Sequence, residues 1–94
     1  MKDEFIYSLQ NYSVVSPIPV RINKVDNWYT VSAERSLGIP INGEGRNVTS
    51  ALFDLGLIIE SEIRFLELDP VNLKGYAKRV YNHIENHVRL RESV

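Results

Sequence analysis

The chain has 94 residues, 44% of them apolar and 24% charged, with a formal net charge of −1 and no cysteine. This is enough chain for one core. The charge balance excludes a surface built throughout for nucleic acid, and the missing thiols exclude disulfides, thiolate metal sites and cysteine catalysis. No run approaches the roughly 20 apolar residues of a membrane span, and Met1-Lys2-Asp3-Glu4 lacks the apolar core of a signal peptide. The expected organisation is one domain, 1–94, and the expected setting is the cytoplasm.

Residues 3–14 read as a short helix with Phe5, Ile6 and Leu9 inward, or as a strand at Tyr12–Val15, where Tyr and Val favour a pleated surface. Ser16-Pro17-Ile18-Pro19 forces extended or turn geometry. Val20 to Val25 alternates, with Val20, Ile22 and Lys24 on one face and Arg21, Asn23 and Val25 on the other. Asp26-Asn27 signals a turn, and the aromatic and β-branched run from Trp28 follows it. The pattern predicts a hairpin with strands near 19–25 and 28–34. A third short strand is predicted near 38–42, where Ile39 and Ile41 alternate and Pro40 places it at an edge or bulge.

The period then changes. Leu52, Leu55, Ile59, Ile63 and Leu66 fall in steps of three and four, which predicts a helix near 47–68 with Asn47 or Thr49 as its N-cap. Asp69-Pro70 ends it and opens a second helix near 70–91, with a stripe of Leu73, Tyr76 or Ala77, Val80, Ile84 and Val88. Gly75 within it reads as a point of close helix approach. Strands that precede helices predict an α+β fold: a three-stranded antiparallel sheet packed by two C-terminal helices.

Charge is unevenly spread. Residues 47–69 carry Asp54, Glu60, Glu62, Glu67 and Asp69 against Arg64, while residues 70–94 carry Lys74, Lys78, Arg79, Arg89 and Arg91 against Glu85 and Glu92. The basic set could follow a phosphate backbone, and Tyr76 and Tyr81 could stack on bases. His83 and His87 lie four apart, but Glu85 falls on the opposite side of a helix from them and no third ligand is evident. Gly43-Glu44-Gly45-Arg46 precedes a helix start but lacks the remaining residues of a phosphate loop. No serine, histidine and acid form a recognisable triad. No enzyme activity, metal or cofactor is expected.

Asn27-Trp28-Tyr29-Thr30-Val31, then Leu37-Gly38-Ile39, then Gly45-Arg46-Asn47-Val48-Thr49-Ser50-Ala51-Leu52 form a strand, a loop and a Gly-to-Ala helix entry. Together they resemble the small domain of HicB-type antitoxins, over Val20 to Leu66. The family's Pro-Asp-Leu-Pro-Gly-Cys signature is absent, the loop is one residue longer, and Asn47 stands where the family has Thr. The tail shows no helix-turn-helix or ribbon-helix-helix pattern. The resemblance implies a sheet-and-helix module that binds a partner protein and performs no catalysis, an RNase H-like shape without its metal carboxylates.

The expected function is therefore a non-enzymatic protein-binding module of a prokaryote or phage. It would act as an antitoxin-like or inhibitor protein occupying a partner's functional surface, the candidate partner being a small basic nucleic-acid-binding protein. The candidate contact residues are Arg21, Trp28 and Tyr29 on the hairpin and Glu60, Glu62 and Glu67 on the acidic helix. The alternative is a small nucleic-acid-binding regulator using Lys74, Lys78, Arg79 and Arg89. An edge strand and a helix of unusual charge favour a symmetric homodimer.

Overall fold

A computed structural model describes residues 3–90. The fold is α+β. Four strands, β1 (Asp3–Ile6), β2 (Ile18–Val25), β3 (Trp28–Ser32) and β4 (Asn42–Gly45), form one antiparallel sheet in the order β1-β2-β3-β4. A single turn of helix, α1 (Glu34–Leu37), interrupts the path from β3 to β4. The long helix α2 (Val48–Leu66) follows, then a 3₁₀ turn at Pro70–Asn72 and the shorter α3 (Gly75–Glu85).

The hairpin β2–β3 forms as its alternation dictates. Val20 and Ile22 face inward with Val31, which pairs with Ile22, while Arg21 pairs with Ser32 on the other face. Asp26 takes a positive φ of 58° and turns the chain within two residues. The inner face carries Ile6, Ile18, Val20, Val31 and Ala33. It packs on Ala51, Leu55, Ile59, Ile63 and Leu66 of α2, joined by Val80 and Ile84 of α3, in one core.

α2 starts where a cap is available. The Asn47 side chain accepts a hydrogen bond from Ser50 N at 2.8 Å, satisfying one orphan donor of the first turn. Asn47→Ala is expected to cost about 1 kcal/mol, read from a urea unfolding curve.

Four expectations are corrected. The sheet has four strands, because Asp3–Ile6 pairs with Ile18–Arg21 instead of coiling as a helix, giving the Glu4 and Ile6 backbone groups ladder partners. The strand read near 38–42 lies at Asn42–Gly45, and Glu34–Leu37, counted partly as strand, forms a turn of helix closed by Gly38 at φ 75°. The last helix spans 75–85, because Leu73 and Lys74 are extended and Gly75 opens it at φ 56°. Gly75 permits no close helix approach, for a Cβ built there meets nothing within 4 Å.

Beyond Glu85 the chain leaves the helix because a neighbouring segment needs partners. Val15 N and Ser16 N both donate to His87 O, and Arg89 N donates to Ser13 O at 2.9 Å, forming a short bridge at Val14 and Val88. Val88 and Leu90 then enter the core in strand-like alternation. The predicted helix end at 91, and Arg91 itself, lie outside the described residues.

Candidate protein-binding face

The helices cover one face of the sheet and leave the other open. On the open face stand Phe5, Pro19, Arg21, Trp28 and Glu44, all exposed. Sequence alternation sends Trp28 outward and Tyr29 inward. Trp28 is 44% exposed, and its Nε1–H donates to Glu44 Oε1 at 2.8 Å, which holds the indole across β3 and β4. Tyr29 is half-buried against the core with Lys24 Nζ 5.5 Å from its ring centroid, so it supports the hairpin from behind.

A cleft of about 340 Å³ opens at the β1 end of this face. Phe5, Pro19 and Arg21 line it from the sheet, and Glu34, Arg35 and Ser36 from α1. Ser36 Oγ donates to Pro19 O at 2.6 Å and ties α1 to β2. The Phe5 ring lies 5.9 Å from the ring of Tyr7. Two guanidinium groups, one carboxylate and an aromatic ring border the cleft, and no histidine enters it. The arrangement suits recognition by stacking and charge-assisted hydrogen bonds. Phe5 was missed from sequence because its segment read as helix, where it would turn inward.

The acidic helix is arranged differently from the expectation. Glu60, named as a partner contact, is 2% exposed. Its carboxylate accepts from Gln10 N, from Asn11 N at 3.0 Å and from Asn11 Nδ2 at 2.8 Å, with Arg64 Nη1 3.8 Å away. Burial pushes this carboxyl up, but the Asn11 and Gln10 donors and Arg64 outweigh it and hold it below the ordinary glutamate range. Glu67 accepts from Tyr12 Oη at 3.1 Å. These two glutamates, seven residues apart, clamp residues 10–12 along α2. Glu62 is half-buried on the same helix.

Lys74, Lys78, Arg79 and Arg89 are all exposed. Lys74 immediately precedes α3, Lys78 and Arg79 lie about 100° apart around it, and Arg89 is on the extended segment beyond it. They do not make one helical stripe. His83 and His87 also part company, since His87 lies past the end of α3. The His83 ring packs near Gly38, where an added Cβ would sit 3.2 Å from its Cδ2. His87 Nδ1 faces the Ser16 and Pro17 carbonyl oxygens at 3.2 and 3.1 Å. Among the described residues, no group of three or more His, Asp or Glu side chains is placed to hold a metal ion, and no helix is long and apolar enough to cross a membrane. No protein-family model matches the chain, and neither a curated protein nor a solved structure matches it.

Proposed function

We propose that the chain is a non-enzymatic protein-binding module, antitoxin-like or inhibitory, that offers the open sheet face to a partner protein in the cytoplasm. The observation that carries this reading is that face: Phe5 and Arg21 stand exposed at a cleft and Trp28 stands exposed at the hairpin end, on a sheet whose other face packs on the core. Aromatic and arginine side chains on a rigid sheet are the residue types that dominate binding energies. The run of β2, β3, β4 and α2 over 18–66 is compatible with the resemblance to HicB-type antitoxins. Gly45 and Ala51, two of the residues that carry the resemblance, sit against each other: a Cβ on Gly45 would lie 2.7 Å from Ala51 N.

Glu60 and Glu67 now serve the fold, so the contact surface shifts from the acidic helix to the hairpin. The nucleic-acid reading is weaker, because its four cations divide between a helix and an extended tail. The discriminating experiment is affinity capture from the producing cell, eluted at low and at high salt. A stoichiometric protein partner supports the proposal. Nucleic acid released by salt, without a protein, contradicts it.

A further inference from the structure

α2 is apolar on two sides. Ala51, Leu55, Ile59, Ile63 and Leu66 are buried against the sheet, yet Phe53, Leu57, Phe65 and Leu68 are 54%, 41%, 66% and 79% exposed. On a helical projection Phe53, Leu57, Ser61, Phe65 and Leu68, the last just beyond the end of α2, fall within about 120° of arc. A surface helix normally carries one apolar stripe, and apolar residues around most of a helix mark burial on both sides.

We propose that this second stripe is the seam of a homodimer, in which α2 of one copy packs antiparallel on α2 of another. Two observations select a second copy as the occupant. The first is self-complementarity. Around Ser61 the large apolar residues stand at −8, −4, +4 and +7, so a two-fold axis at Ser61 sets Leu57 of one copy against Phe65 of the other, and Phe53 against Leu68. Ser61, the smallest residue of the stripe, falls at the crossing point and allows close approach. The charges nearby are already engaged: Arg64 lies 3.8 Å from Glu60 of its own chain, and Asp54 Oδ2 accepts from Glu44 N at 2.9 Å. Pairing therefore leaves Arg64 beside its own carboxylate and Asp54 with its own hydrogen bond.

The second is area. With a fully exposed aromatic side chain at roughly 150–250 Å² and leucine somewhat less, the four residues offer on the order of 400 Å² of apolar surface per copy. Two copies give about 800 Å², the apolar share of an interface of roughly 1,200–1,400 Å². That reaches the size of a specific interface. The seam lies away from the open sheet face and does not depend on its partner.

The absence of native cysteine makes a direct test possible. Light scattering on the purified chain at about 100 μM is expected to give a dimer. Leu57→Glu and Phe65→Glu, both at exposed positions, are expected to give folded monomers, with the dimer dissociation constant raised at least about 100-fold. Oxidised Ser61→Cys is expected to form a covalent dimer, whereas Thr49→Cys, about 18 Å along the helix from the axis, is not. A monomeric native chain, a dimer indifferent to both glutamate variants, or a dimer in which Ser61→Cys fails to cross-link would overturn the proposal.

Discussion

Gly43→Ala is expected to cost about 3 kcal/mol or more, a large part of the stability of a domain this size. β4 lies with its backbone directly on α2. A Cβ at Gly43 would stand 2.3 Å from Ala51 O, 2.4 Å from Leu55 N and 2.6 Å from Leu55 Cβ. Two of these are backbone atoms of a helix whose own face is locked into the core, so no rotamer change relieves the clash. The strand must move away from α2, opening a gap over Leu55 and stretching the β3–β4 ladder. Gly56→Ala provides the contrast. Its added Cβ would sit 3.4 Å from Leu9 Cδ2, an ordinary contact, and Ala is favoured over Gly inside a helix by about 0.5–1 kcal/mol. Urea unfolding should therefore move the midpoint down for the first variant and up for the second. Similar midpoints for both would refute the close packing of β4 on α2.

Glu60→Ala is expected to cost about 3 kcal/mol. It strips the acceptor from Gln10 N, Asn11 N and Asn11 Nδ2 together, and the segment that follows them, residues 13–16, holds the 87–89 tail. Glu60→Gln keeps one carbonyl acceptor and should lose about half as much. The linkage has a definite sign. The Glu60 carboxyl is held below its unfolded value, so its stabilisation is fully present above the unfolded pKa near 4.3 and is lost as pH falls through the lower folded value. The stability gap between the native chain and Glu60→Gln should be constant from pH 7 to about pH 5 and shrink below that. A gap that widens in acid would show that the carboxylate is not the species bound.

Local chemistry made much of this legible. The hairpin follows from alternation around Asp26-Asn27, and α2 follows from its steps of three and four and its Asn47 cap. The errors lie where distant partners decide. Phe5, Ile6 and Leu9 have a spacing that fits a helix, and only the free edge of β2 makes Asp3–Ile6 a strand. β4, Asn-Gly-Glu-Gly, has almost no intrinsic strand preference; it is a strand because glycine alone permits its contact with α2. Val88 continues the helical step from Ile84, which concealed the turn at 86–87 that returns the tail to Ser13. The acidity of α2 was visible, but the inward direction of Glu60 was not, since its donors come from residues fifty positions away. The second stripe of α2 was present in the sequence at the same four-residue step as the first.

The surface proposed for recognition is the open sheet face, with Trp28 at the hairpin end and Arg21 at the cleft. The most direct measurement is a calorimetric titration of the captured partner against the native chain, Trp28→Ala, Arg21→Ala, and the pair Lys78→Ala and Arg79→Ala. Trp28→Ala is expected to weaken binding by about 30-fold or more, as for a tryptophan anchor, and Arg21→Ala by about tenfold. The lysine–arginine pair should change affinity by less than about threefold. Undiminished binding by Trp28→Ala and Arg21→Ala, with loss in the basic pair, would contradict the account and move the site to α3.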